Sequence, residues 1–449
     1  MSQVKERPFS NRALIRLLIP LIIEQALAVT VGLADSLMVS SLGEAAVSAV
    51  SLVDTVNVLV INMFGSLATG GAIVTGQYLG ARAMEKAQRS AEQLLIFVGV
   101  LAVVLTAVMY VIRGFVLTVV FGAIEPDVAA YAETYFNIVE LSIPFLAVYS
   151  VGAALFRIMG NSSISMWVSL IMNLINVTGN AILIFGAKWG VAGVALPTLV
   201  SRMFAAAAIL WLLRNESLAI HLSRQFRLTY DRQIVGQIVR TGVPNGIEGS
   251  LFQLGKIMLM SVIATFGTAS IAANAIGNTL MTFQNLPGNA ASLAMTTVIS
   301  QCVGRRDYDS AHYYTKKLMI FAGVSILVSN GLIMLLLSAI LNIYNVSSEA
   351  RELAQWLVTS YAIVCVLSWT MSFTFPQTLR ASGDTRYVMV ISAMSMWLFR
   401  IVLGILLSRY AGLELVGVWI AMYVDWIVRG TCFGLRYRSG KWKTKAIQQ

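Results

Sequence analysis

Charge is scarce in this chain. Only 12% of its residues are Asp, Glu, Lys or Arg, against about 25% in ordinary soluble domains, which excludes a soluble globular protein. Histidine is scarcer still: His221 and His312 both sit in polar connectors. With them stand three scattered cysteines, Cys302, Cys365 and Cys432. None shows metal-ligand spacing, so no zinc or haem site can be argued, and the cysteines read as small apolar fillers. An HExxH pair, a GxSxG elbow, paired DDxxD carboxylates and a phosphate loop are all missing, which argues against an enzyme. No cofactor is expected beyond a transported ion. The alternating ten-residue segments of a membrane barrel are absent too.

Long apolar runs are what the chain has instead. With 57% hydrophobic residues, it reads as a membrane protein built of helices, because a span needs about 20 apolar residues and only helices or closed barrels satisfy the backbone in lipid. Breaks at polar or Gly-containing points predict twelve helices. Their spans are 13–41, 47–79, 94–120, 129–157, 163–186, 190–213, 236–266, 271–303, 315–343, 353–379, 386–410 and 414–436. The first carries Pro20, Glu24 and Asp35 and reads as a retained span, not a cleaved signal peptide.

The sequence repeats itself. A shift of 224 residues places Pro20, Glu24, Leu27, Gly43, Ala49, Val74, Gln77, Gly80 and Ala87 on Pro244, Glu248, Leu251, Gly267, Ala273, Val298, Gln301, Gly304 and Ala311. One residue of slippage later, Arg157 and Gly160 fall on Arg380 and Gly383. Such repeats mark transporters, with a substrate path expected between the copies. The expected organisation is an all-α polytopic membrane protein with two pseudo-symmetric six-helix lobes. An N-lobe (1–213) leads through a connector (214–235) to a C-lobe (236–436) and a basic tail (437–449).

Loop charge sets the expected orientation. Lys188, Arg351 and Arg409 are the only basic residues of the odd-numbered loops, whereas Lys5, Arg7, Arg82, Arg89, Arg224, Arg227, Arg305, Lys317 and others crowd the even loops and termini. By the positive-inside rule both termini are cytoplasmic. The net charge of +11 then reflects topology and contact with anionic lipid, not nucleic-acid binding. Segments after Gly80 and Gly304 are expected to form amphipathic helices lying along the interface.

Several motifs together resemble the multidrug and toxic compound extrusion (MATE) transporters of bacterial type, within the wider multidrug/oligosaccharidyl-lipid/polysaccharide exporter superfamily. They are Pro20, Asp35 fifteen residues on and then Gly43; the GQYLGAR and SQCVGRR exits; and the LRASGDTRY run. The resemblance covers about residues 10–436. It implies export of bulky, often cationic, organic compounds in exchange for inward Na+ or H+. It also implies ion binding at Asp35, since the family places an Asp there in its first helix. One branch of the family has Asn followed four residues later by Asp on helix five; here Asn176 matches but Asn180 replaces the Asp, so a two-carboxylate site is lost.

Intramembrane polar residues are costly and mark functional candidates. Asp35 lies beside the small residues Gly32, Ala34 and Ser36, and its repeat counterpart is Leu259, so shared architecture does not demand the carboxylate. Asn176 and Asn180, four apart, share a helical face and could ligate Na+ with Asp35 or hydrogen-bond its protonated form. Amide glue between helices is the alternative, and Asn173 lies on the same helix. Glu24 shares a face with Asp35 about 16 Å away. Its counterpart Glu248, like it, follows a proline by four residues, so both are either functional or structural. Asp54 and Glu140 complete an acidic N-lobe facing Arg202. In the C-lobe, Glu248 and Asp425 are set against Lys256 and Arg400 as expected internal pairs, with Gln253 and Phe252 near the position of an acid in another family pattern. Pro20, Pro244 and Pro287 are either moving hinges or fixed kinks. The 20 methionines in part line an adaptable cavity and in part face lipid.

The expected function is therefore an alternating-access antiporter, membrane-embedded and monomeric, in the bacterial inner membrane. A lipid-linked saccharide flippase of the same superfamily is the main alternative. An intramembrane enzyme and a passive channel are weaker ones.

Overall fold

The computed structural model describes residues 7–120, 125–223, 230–344 and 346–446, with side chains 119–120 left aside. Lys5, Arg224 and Arg227, with residues 224–229 of the expected connector, lie outside the described residues. Among the described residues every regular element is helical. Twelve long helices follow in order. They are α1 (Asn11–Ser40), α2 (Glu44–Gly80), α3 (Met84–Val111), α4 (Pro126–Leu141 with Ile143–Ile158), α5 (Ser162–Gly186) and α6 (Ala192–Leu213). The second six are α7 (Arg232–Ala264), α8 (Thr268–Gly304), α9 (Tyr308–Ile343), α10 (Ser348–Ala381), α11 (Thr385–Tyr410) and α12 (Glu414–Arg438).

Ten of these are long and apolar enough to cross a membrane, and the bent α4 makes an eleventh. The remaining helix, α8, has 37 residues, but Asn274, Asn278, Gln284 and Asn285 dilute its hydrophobicity. Exposed apolar stripes show which faces meet lipid. On α9, Ile320, Val324, Leu327, Val328, Leu332 and Leu335 are all more than half exposed at helical spacing. In water such a stripe would be a liability; in hydrocarbon it costs nothing.

The duplication is visible in the backbone. Gly43 and Gly267 stand before α2 and α8 with φ of 97° and 94°. This left-handed region favours glycine because it has no Cβ. Arg82 and Arg306, again 224 apart, share the rarer positive φ of 60° and 55°. Matching strain at matching positions is what two copies of one turn should show.

The chain divides into two compact units. One comprises Met1–Gln25 with Ile247–Gln449, the other Ala26–Gly246; they are called the C-terminal and N-terminal units below. The helices α1 and α7 each supply a segment to both, changing unit six residues after Pro20 and three after Pro244. In the C-terminal unit Leu14, Leu17, Leu18 and Leu21, spaced as one helical face, pack into a core with Ala290, Ala294, Met295 and Val298 of α8. In the N-terminal unit a Cβ on Gly70 would lie 2.4 Å from Gly242 Cα, so glycine at both positions lets the α2 and α7 backbones touch.

One local expectation changes. The segments after Gly80 and Gly304 are not separate interfacial helices: they are the first turns of α3 and α9, which begin at Met84 and Tyr308. No proline or glycine interrupts them before Gly99 and Gly323, so the amphipathic and apolar stretches fuse. The basic tail, in turn, is folded as far as it is described. Lys441–Lys445 forms a short 3-10 helix whose Trp442 is 1% exposed and stacks on Tyr437 at 5.0 Å.

Candidate ion-coupling site and a cationic cavity

The N-terminal unit gathers the polar residues singled out in its sequence around Asp35. Asn180 Nδ2 donates to Asp35 Oδ1 at 2.9 Å. Asn176, one turn earlier on α5, fills the gap between Asp35 and Thr198 of α6, and one orientation of its amide pairs well with both neighbours. With Nδ2 toward the carboxylate, it donates at 3.0 and 3.2 Å to the two Asp35 oxygens while Oδ1 accepts from Thr198 Oγ1 at 3.0 Å. Turned over, Nδ2 donates to Thr198 Oγ1 at 3.0 Å, and the hydroxyl passes its own hydrogen to the Val194 carbonyl at 3.0 Å. The amide oxygen then faces Asp35, which is favourable only when a proton or cation sits there. Asn180 Oδ1 is buried without a hydrogen-bond partner, leaving one more oxygen acceptor. Asn173 is turned away, 3.4 Å from Ser169 Oγ.

Asp54 accepts from Tyr135 Oη at 3.2 Å. Arg202, set against the N-lobe acids as a group in the sequence, forms no ion pair with Glu140. Arg202 Nη1 donates to Ser142 Oγ at 2.7 Å, and both Glu140 carboxylate oxygens are buried without a hydrogen bond. The cause is the bend of 42° in α4. Pro144 lacks the N–H that would bond the Glu140 carbonyl, so the helix breaks at Ser142 and presents that hydroxyl to Arg202.

In the C-terminal unit the charge pattern is reversed. Glu248 is held by Arg380, whose Nη2 donates to both carboxylate oxygens at 2.7 Å; the sequence marked Arg380 as the repeat counterpart of Arg157, not as a partner of Glu248. Asp425, fully buried, lies 3.9 Å from both Arg400 and Arg429 and accepts from Ser395 Oγ at 2.5 Å. Arg429 was missed because nothing in its local sequence distinguishes it from a helix-end cation. It also donates to the Ser372 carbonyl at 3.2 Å, freed because Pro376 four residues on has no N–H.

The expected neutralisation of Lys256 by an acid is corrected: Lys256 makes no ion pair among the described residues. Its Nζ lies 5.3 Å from the centre of the Phe252 ring, which Arg400 and Arg429 also approach, at 5.1 and 6.0 Å. Lys256 and Arg400 line a cavity of about 340 Å³ with Met260, Asn278, Met281 and Trp419. Gln253 lies one residue beyond Phe252, partly buried and outside this lining.

These features are those of a multi-pass membrane protein built as a duplicated helical bundle, with a polar cluster around Asp35 in one unit. The MatE family model matches residues 20–182 and again 244–406, more than half of the chain, so the protein belongs to the MatE family of transporters; the two matches repeat the 224-residue period. The chain is 26% identical over 440 residues to the uncharacterized transporter YisQ of Bacillus subtilis, covering 95% of this chain and 94% of that one. It is 24% identical to the probable multidrug resistance protein NorM of Thermotoga maritima, covering 99% and 95%. Among solved structures, an outward-facing multidrug resistance MATE family transporter of the MOP superfamily superposes with a TM-score of 0.89 at 21% identity, over 96% of both chains. The chain is therefore a transporter and not an enzyme.

Proposed function

We propose that this transporter is a secondary active antiporter that exports organic compounds in exchange for inward H+ or Na+ bound at Asp35. The observation that carries the reading is the buried amide pair Asn176 and Asn180 held on the Asp35 carboxylate, with the Asn180 oxygen left without a hydrogen-bond partner beside it. Ion arrival would turn the amide and change what joins α1 to α5 and α6 inside the N-terminal unit. Such an element can bias alternating access only if the ion binds the two access states with different affinity. With H+, Asp35 donates to Asn176 Oδ1; with Na+, Asp35, Asn176 and Asn180 supply oxygens. The acids Asp35, Asp54 and Glu140 also support attraction of organic cations to this unit. Its loop charges support an orientation with both termini cytoplasmic; the proposed setting is the bacterial inner membrane, with the protein as a monomer.

The test is flux of a cationic dye in liposomes, with pH and Na+ gradients imposed separately. Asp35→Asn is expected to abolish gradient-driven flux. A coupled rate equal to the unmodified protein would remove Asp35 from the mechanism.

A further inference from the structure

The N-terminal unit is rich in buried acid, but the C-terminal unit holds a cavity of the opposite sign that the coupling mechanism does not use. We infer that the cavity between α7, α8, α11 and α12 binds an amphipathic organic anion, a sulfonate, carboxylate or phosphate carried on an apolar or aromatic body. Three observations inside this one unit support the site.

The first is charge balance. Lys256, Arg400 and Arg429 surround the Phe252 ring, and the acid paired with them is Asp425 alone. Glu248 is not free to help, being engaged by Arg380 at 2.7 Å. Among the described residues three cations stand against one carboxylate, and two of them, Arg400 and Arg429, are buried, where a like-charge excess is costly unless a ligand relieves it.

The second is unmet hydrogen bonding. Arg400 is 6% exposed, and its Nε and Nη1 donors have no hydrogen-bond partner; the 3.9 Å approach to Asp425 is too long to supply one. The same side chain lines the cavity. Nη1 is the nitrogen that faces Asp425, so the guanidinium is under-bonded at the cavity wall and suited to an oxyanion that approaches from the cavity side, and Lys256, which also lines the cavity, adds a second cation.

The third is the rest of the lining. Met260, Met281, Met422 and Trp419 line the cavity beside Asn274 and Asn278. Trp419 is fixed by donating Nε1 to Asn274 Oδ1 at 3.1 Å. An adaptable thioether surface around a fixed aromatic plane accepts flat apolar bodies of varied outline. A cavity of about 340 Å³ suits a two-ring compound. An organic cation of the same size would meet Lys256 and Arg400 without a facing carboxylate, so the cavity discriminates by sign.

The experiment compares two probes of one shape, naphthalene-1-sulfonate and naphthalen-1-yl-trimethylammonium, by equilibrium dialysis against the full chain in phosphatidylcholine nanodiscs. The sulfonate is expected to bind and the ammonium to bind at least tenfold more weakly. Lys256→Met should weaken the sulfonate about tenfold or more, and Lys256→Arg should keep it. Lys256 has no ion-pair partner to orphan, so the folded state should tolerate both variants. Repeating the titration with phosphatidylglycerol in the disc identifies the source of the anion. Competition by the lipid assigns the cavity to anionic headgroups, and no competition assigns it to free organic anions. Equal sulfonate affinity in Lys256→Met, or preference for the ammonium in the unmodified protein, would overturn the site. Asp35→Asn is expected to leave sulfonate binding intact, so this inference and the coupling proposal fail separately.

Discussion

Asp425→Asn tests the charge balance of the C-terminal unit most directly. The carboxylate is fully buried, and its Oδ2 lies 3.9 Å from a guanidinium nitrogen of Arg400 and of Arg429. Asparagine keeps the shape and an acceptor for the Ser395 hydroxyl, now at 2.5 Å, but removes the only negative charge paired with the two arginines. Breaking a buried pair in this way costs about 3–5 kcal/mol, because the remaining charge is uncompensated. Against a total stability of about 5–15 kcal/mol, that is a large share. Fluorescence-detected melting of the purified protein in detergent should show a fall of several degrees. Arg429→Met alone should cost less, since Arg400 and Asp425 then stand one to one. Combining it with Asp425→Asn should recover part of the loss. The same asparagine variant should bind naphthalene-1-sulfonate more tightly, so stability and anion affinity move in opposite directions. A melting curve superimposable on the parent, or Arg429→Met as damaging as Asp425→Asn, would refute the reasoning.

Two other outcomes are expected. Asn176→Leu removes donors at 3.0 and 3.2 Å from the Asp35 oxygens; hydrogen bonds to charged groups contribute about 1.5–3 kcal/mol, so ion-driven dye flux in liposomes should fall roughly tenfold or more, and an unchanged flux would dissociate the amide from coupling. Trp442→Ala empties a site that is 1% exposed, and such truncations cost about 3–5 kcal/mol; thermal melting checks it, and an unaltered melting temperature would show that the tail docks without contributing.

Much of the scaffold was legible because it is written in periods. Apolar runs marked the helices, and the shift of 224 residues marked the duplication that the paired left-handed turns at Gly43 and Gly267 repeat in the backbone. Asp35 and its two asparagines stood out because a polar group in an apolar span is costly. What stayed hidden depends on which side chains meet across long separations. Thr198, Tyr135, Ser142 and Ser395 are ordinary hydroxyl residues in the sequence and acquire meaning only from their partners. Arg400 sits in the π-helical stretch Met396–Val402, where wider turns break the 100° spacing on which face assignments rest. Pro20, Pro244 and Pro287 were read as moving hinges or fixed kinks, while Pro144 and Pro376 drew no reading and matter here for the carbonyls and bends they leave to Ser142, Arg202 and Arg429. The pairing of Glu248 with Arg380 joins residues that the sequence placed in a span and in a loop.

The exchange of segments at α1 and α7 constrains how the polypeptide is made. Leu14, Leu17, Leu18 and Leu21 leave the ribosome some 270 positions before the alanine- and methionine-rich partners that bury them. The N-terminal unit likewise remains incomplete until Arg232–Gly246 has been synthesised. Neither half of the gene therefore encodes a self-sufficient module, and a chain interrupted in the intervening polar stretch would have to be rescued by supplying both fragments together.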